Sequence, residues 1–318
     1  MKLGVCAQVL YHQPFEEALA TAAALGFETI ELPVHARNPF IDLENALTGD
    51  WRRIARAVRD AGLTISALSN HQEGQLLLGP HAADTDAIHT GDADEKIRYA
   101  TRRLEETAML AERLEVGVVC GFTGCEDSSR WFPWPIEDGY ERMGETFRER
   151  LVPVLDVFAR HGVRFGLECH PRQFAYNLET ARLALELAGG HPALGFNFDP
   201  ANLVLAGMNP VVFIAELGDR ILHVHAKDAE RVEHQVDRSG LLAHGRWDRR
   251  DRGFRFRIPG WGDLNWKHLI SELRQAGYDG VLAVEHEDPI IGRVEGLRKS
   301  YEFLSPLLLR EPPAPRWW

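Results

Sequence analysis

Short apolar runs alternate with longer amphipathic stretches along the whole chain, and this alternation predicts strands and helices in turn. Strands are expected near residues 3–8, 29–33, 64–69, 117–121, 164–169, 195–199, 221–225 and 282–285. Between them, apolar residues recur at helical spacing over 15–25, 51–61, 93–113, 143–161, 178–188, 210–217 and 266–276. Several of these stretches close on a glycine, at Gly26, Gly62, Gly162 and Gly277, where a chain leaving a helix turns left-handed. Eight strand-helix units predict an α/β fold, a single (β/α)8 TIM barrel over residues 1–305 with long loops after strands 3, 4 and 7. A doubly wound open sheet is the alternative. Residues 306–318 form a Pro-rich C-terminal tail whose paired tryptophans are either a docking point for another subunit or an unordered end.

The strand within RILHVHAKD, residues 220–228, carries chemistry at its end. Residues two apart on a strand share a face, so His223 and His225 point one way and Val224 the other. In a closed barrel only the inward residues at the carboxyl end reach the mouth, which singles out His225 with His223 one layer deeper. Three other apolar runs end on an acid: VRFGLECHP on Glu168, LGFNFDP on Asp199 and VLAVEHED on Glu285. One such acid is commonly a helix cap, but four strands offering Glu, Asp, His and Glu at equal heights need a common cause. A divalent cation supplies it, because three carboxylates brought together repel, and oxygen-rich ligation with one imidazole suits such an ion.

Composition narrows the class. A length of 318 residues is within the range of one barrel, and no run approaches the length of a membrane span or has the layout of a signal peptide, so a cytoplasmic protein is expected. Cys6, Cys120, Cys125 and Cys169 lack zinc-finger spacing and read as reduced thiols. A net charge of -11 argues against nucleic acid as a partner. Neither a Gly-x-Gly-x-x-Gly after the first strand nor a phosphate-cradling loop ending in Lys-Ser/Thr is present.

Most densely from residue 162 onward, the chain resembles the xylose isomerase-like barrels, which include sugar phosphate isomerases and epimerases, D-tagatose 3-epimerase and inosose-handling enzymes. The likeness covers residues 1 to about 304 and rests on GLECHP, NFDP, HVHAKD and VEHED. These phrases also resemble the α subunit of C-glycoside deglycosidases. The resemblance implies that Glu168, Asp199, His225 and Glu285 hold one divalent ion, Mn²⁺ in preference to Mg²⁺, Co²⁺ or Zn²⁺. It further implies an α-hydroxyketone substrate with Glu168 and Glu285 on opposite sides of its reacting carbon. Elementary chemistry agrees, since removing a proton next to a carbonyl needs a positioned base and a way to stabilise the charge that develops.

Further positions carry over as substrate contacts. Arg231 lies six residues after His225, where the epimerases place a substrate-binding Arg, although it also begins an Arg-rich insertion. His170 and Lys227 share the strand parity of Glu168 and His225; alternatively His170 caps its own loop and Lys227 pairs with Asp228 or another nearby acid. Asn202 stands where the epimerases carry a His three residues after the metal Asp, and it cannot relay a proton at neutral pH. His71, after the third strand, either reaches the substrate from across the barrel or is a solvated loop residue.

Two loops belong on the catalytic face. Residues 121–140 carry Phe122, Trp131, Phe132, Trp134 and Tyr140, suited to stacking on a sugar or aglycone or to a subunit contact, with Trp131 as the named substrate candidate. Residues 229–262 carry eight arginines among acids, which suits an inter-subunit lid or a phosphate. The expected activity is a metal-dependent sugar isomerase or epimerase acting on a ketose or keto-sugar as a homo-oligomer. The alternative is a lyase that cleaves a 3-keto C-glycoside by β-elimination, with a smaller partner subunit. An apurinic-site endonuclease, which the distant fold relation permits, is disfavoured by the acidic charge and by its need for further histidines.

Overall fold

The computed structural model of the chain describes residues 1–128 and 135–312. Eight parallel strands close into a barrel: β1 (Lys2–Cys6), β2 (Thr29–Pro33), β3 (Thr64–Asn70), β4 (Val118–Gly121), β5 (Arg164–Glu168), β6 (Leu194–Phe198), β7 (Ile221–Ala226) and β10 (Val281–Val284). Neighbours around the ring follow chain order from β1 to β7, and β10 closes it between β7 and β1. The open sheet is thereby excluded. Leu3, Val5, Ile30, Leu68, Val119, Phe165, Leu167, Phe196, Val224 and Leu282 are at most 1% exposed, because strands covered by helices outside and side chains inside bury both faces.

The outer helices start and stop where local chemistry dictates. Helix Ala93–Arg113 opens on a capping box in which Asp92 accepts the Glu95 N–H and Glu95 accepts the Asp92 N–H. Helix Pro200–Leu205 begins directly after β6 with Pro at its first turn and Asp199 as its cap, so one carboxylate both starts a helix and faces the barrel mouth. Gly195 packs β6 against β7, where an added Cβ would come within 2.5 Å of the Arg220 carbonyl oxygen. Helix Arg293–Leu304, absent from the expected helices, completes the outer ring after β10.

The loops are more ordered than their composition suggests. After β3 the chain forms short helical turns at His71–Gly74, Gln75–Leu77 and Ala83–Ala87. Buried Lys96 pins this segment through the carbonyls of His81 and Ala82, the Thr85 hydroxyl and Asp86. After β7 the arginine-rich segment forms an antiparallel pair, β8 (Asp228–Arg231) with β9 (Phe254–Arg257), and a short helix Glu233–Ser239. The alternation of FRFR puts Phe254 and Phe256 on one face, where they bury with Ala201, Leu205 and Ala229 in a small separate core, and the arginines on the other, where Arg257 is buried on Glu230 and Asp288. No described helix is long and apolar enough to cross a membrane. Trp131, Phe132, Trp134 and the terminal tryptophans lie outside the described residues.

Candidate metal centre and active site

Glu168 ends β5, Asp199 follows β6, His225 is the penultimate residue of β7 and Glu285 follows β10, so four neighbouring strands deliver them to one end of the barrel. One ligand atom from each lies within 4.8 Å of all the others. His225 Nε2 donates to Glu31 Oε2 at 2.9 Å, leaving Nδ1 as the free lone pair. That Nδ1 is buried without a hydrogen bond and stands 3.2 Å from Glu168 Oε2 and 3.1 Å from Glu285 Oε2. Glu31, on β2, is therefore the residue that orients the imidazole.

Amides and one imidazole fix the carboxylates. Glu168 accepts from Asn197 Nδ2 at 2.5 Å, Asn202 Nδ2 at 2.8 Å and His71 Nε2 at 3.0 Å. Asn202 also donates to Asp199 Oδ2 at 2.8 Å, so its amide ties two of the acids together while its Oδ1 has no protein partner. Lys227 Nζ reaches Glu285 at 2.6 Å, Asp199 at 2.8 Å and Glu287 at 3.0 Å. Its pairing is with the cluster and not with Asp228, whose carboxylate instead accepts from the N–H groups of Ala229, Gly260, Leu264 and the Trp266 ring.

The titration of these groups reports the charge balance. Burial pushes Asp199 up to about 7, opposed by Lys227 and reinforced by Glu168 and Glu285. Burial is the largest influence on Glu168, Glu285 and Glu31 and acts upward, but His225 together with His71 at Glu168, Lys227 at Glu285 and His223 at Glu31 outweighs it, so all three are lowered. Glu31 is drawn down to about 2. His223 is pushed down to about 4 by burial and sits between Asn197 Oδ1 and Ser66 Oγ as a neutral ring.

Three carboxylates thus crowd around Lys227 and His225, and one buried imidazole nitrogen has no hydrogen-bond partner. A divalent cation answers both, because Glu168, Asp199, Glu285 and His225 Nδ1 form a set of three oxygens and one nitrogen around one point. The Glu31 carboxylate behind His225 is the outer partner that a metal-ligating histidine ordinarily has. The residues fit such an ion.

Other expected contacts fall at different distances from this centre. His71 is drawn in, and its ring also meets Phe122 at 4.7 Å and His225 at 5.8 Å between centroids. His170 lies at the rim, 5.2 Å from the Phe122 ring, with Nδ1 turned to the Pro171 carbonyl. Arg231 is exposed on β8, its side chain 3.4 Å from Glu233 and its N–H on Asp263, and it is not among the groups meeting the cluster. The arginine-rich segment is largely self-neutralised, with Arg238 and Arg249 on Asp251, Arg246 on Asp248, and Arg257 on Glu230 and Asp288. Cys125 and Tyr140 after β4 and Leu242 after β7 line one cavity together with Pro171 and Leu205.

Glu31 and Asn197 were missing from the sequence-based site. The signal for Glu31 was an acid inside the apolar run TIELP, which in a doubly covered strand must point at a partner. β-Sheet irregularities fall beside both residues, between Ile30 and Glu31 and between Phe196 and Asn197, and re-aim side chains near the mouth. Such register shifts are invisible in periodicity.

Comparison with known proteins places this site in context. The uncharacterized protein YfiH of Bacillus subtilis (strain 168) is 28% identical over 326 residues, covering 96% of this chain and 98% of that protein. An inosose dehydratase of Lacticaseibacillus casei is 33% identical over 96 residues, 29% of this chain and 30% of that one. Two solved structures share the fold: the probable 3-DHS dehydratase AsbF of Bacillus anthracis (TM-score 0.69, 21% identity, 96% of this chain and 99% of that one) and the IolI protein with a bound zinc atom (TM-score 0.68, 17% identity, 97% and 98%). The family described as xylose isomerase-like TIM barrel matches residues 19–307, and the chain belongs to it.

Proposed function

We propose that this chain is a divalent-metal-dependent sugar isomerase or epimerase that removes a proton from the carbon next to a carbonyl of a ketose or keto-sugar. The observation that carries this reading is the placement of Glu168 and Glu285. They come from β5 and β10, the two ends of a four-strand arc, and converge to 3.2 and 3.1 Å from the same His225 nitrogen. A cation bound there would polarise the carbonyl and its neighbouring oxygen. Glu168, held by three donors, and Glu285, held by Lys227, then face a substrate carbon from two sides, one removing the proton and the other returning it. Asn202 Oδ1, buried and unpartnered, is the acceptor available to a substrate hydroxyl. Manganese suits three carboxylates and one imidazole, with the zinc of IolI marking the competing occupant.

Elimination is the second reading, favoured by the dehydratases among the relatives. It begins with the same proton removal and ends with loss of a hydroxyl or aglycone β to the ketone. Lys227 Nζ is the ammonium placed to protonate the departing oxygen. The experiment is incubation of the Mn²⁺-loaded protein in deuterated water with free ketoses, ketose phosphates and 3-keto-glucosides, followed by NMR. Deuterium at the carbon beside the carbonyl with a new sugar supports isomerisation or epimerisation. An unsaturated product supports elimination, and absence of both deuterium uptake and product across the panel refutes the proposal.

A further inference from the structure

We infer that the substrate carries an apolar substituent, aromatic or alkyl, and that a preformed cavity beside the metal centre receives it. This deepens the reading above and rests on it, because the substituted ring is the one held by Glu168, Asp199, His225 and Glu285. Among the described residues, a cavity of about 440 Å³ is walled by Cys125, Tyr140, Pro171, Tyr176, Leu205 and Leu242. Its walls come from the segments after β4, β5, β6 and β7, the same quadrant that supplies three of the four metal ligands. The cavity approaches the centre through Pro171, three residues beyond Glu168, and Leu205, six residues beyond Asp199. Pro171 and Gln173 also border an adjoining space lined by Phe122 and His170, and Phe122 packs on His71, which donates to Glu168.

The cavity is built and not a gap between loose segments. Phe174, fully buried, stacks between Tyr140 at 5.1 Å and Phe147 at 4.5 Å. The Tyr140 hydroxyl donates to the Phe174 carbonyl, the Gly124 N–H donates to Gln173 Oε1 at 2.7 Å, and the Phe174 N–H donates to the Gly124 carbonyl at 3.0 Å. Gly124 makes this closure at φ 82°, where a Cβ would meet the Gln75 carbonyl oxygen at 2.0 Å. On the far side Leu241 packs on the small core of Leu205, Phe254 and Phe256, which sets the adjacent Leu242 at the rim with 70% of its surface exposed. A cavity of this size is of the order that takes a small ligand, and rigid walls lower the cost of binding. Mostly carbon lines it, with Ser128, Arg172 and Gln173 as its polar residues, so over most of the wall a phenyl or alkyl group gains by leaving water while bare hydroxyls would lose hydrogen bonds.

Phenyl β-D-glucopyranoside and methyl β-D-glucopyranoside, which share one sugar and differ in the substituent, test this by ligand-observed NMR titration of the metal-loaded chain. The phenyl glucoside should bind about tenfold more tightly. Ala206→Trp, which fills the cavity, and Leu242→Asp, which charges its exposed rim without disturbing the core, should each reduce that preference towards one with the methyl glucoside unchanged. Thermal melts confirm folding of each variant. Absence of a phenyl preference, or a preference that survives both substitutions, overturns the inference. Deuterium uptake into ketoses is read separately, so a pocket-dependent phenyl preference without exchange retains the cavity and rejects the proton-abstraction reading, and exchange without the preference does the reverse.

Discussion

Two sets of buried acids in this molecule are treated in opposite ways. Glu73, just outside the barrel, is 1% exposed and completely partnered: it accepts from the Ala36 N–H, Asn70 Nδ2, the Tyr99 hydroxyl and Arg103 Nε, with its partners at 2.7 to 2.9 Å. Asp228 is fully buried and accepts four N–H groups. At the barrel mouth Glu168, Asp199 and Glu285 share Lys227, a few amides and His71, and His225 Nδ1 is left without a partner. A buried carboxylate that the protein satisfies by itself locks segments together. Carboxylates that the protein gathers around a shared lysine and an unpartnered imidazole nitrogen are arranged to receive a cation, as proposed above. The difference separates architecture from function without reference to any relative.

The strongest way to break this comparison is to neutralise each class. Glu168→Gln and Glu285→Gln should each lower turnover roughly 10²–10⁴-fold, the range expected for losing a proton-transfer group. Metal content must be measured in each variant, and near-normal turnover by fully loaded variants would sink the assignment. Arg103→Met should instead cost about 3–5 kcal/mol of stability, because it strands Glu73 in the interior. Urea unfolding measures this, and the surviving folded fraction should retain its metal. A large loss of metal with little loss of stability would reverse the distinction drawn here.

Glu31→Gln sharpens the comparison at its boundary. Glu31 touches no substrate position but orients His225, so metal affinity should fall about 10–100-fold with the fold intact, as read by competition with a chelator. Unchanged affinity would make Glu31 another structural acid.

The smallest effect concerns His35, buried on the loop after β2 and pushed down to about 4 by burial, with Glu73 acting upward and Arg37 downward. An unfolded histidine takes its proton near 6.5, so between about 6.5 and 4 the unfolded chain binds more protons than the folded one. Stability contributed by the neutral ring is therefore complete above about 6.5 and declines as pH falls towards 4. His223 titrates in the same window, so His35→Asn should flatten the decline in part, visible in urea midpoints between pH 7 and 4. An unchanged slope would show that His35 already takes up its proton near 6.5 in the folded chain.

Strand-helix alternation identified all eight barrel strands, and the placement of Glu168, Asp199, His225 and Glu285 at four strand ends made their convergence legible in the sequence. Each of those inferences depends on neighbours in the chain or on a fixed period, which is what a sequence carries directly. What it carries less well is partnership across the barrel. His71 was undecided between substrate and solvent until folding put it 3.0 Å from Glu168, 97 residues away. Lys227 had a nearer candidate in Asp228, yet it turns to acids on two other strands because Asp228 is already saturated by backbone and Trp266. The arginine-rich segment, which its mixed charge suited to an inter-subunit lid or a phosphate, folded into a hairpin whose charges are mostly paired within it. Which strand ends bear chemistry was decided by the sequence by itself, through period and position. Which of those groups are satisfied, which are left wanting a cation, and where an apolar cavity opens beside them were decided only by the tertiary structure, because hydrogen bonds and charges saturate through space and not along the chain.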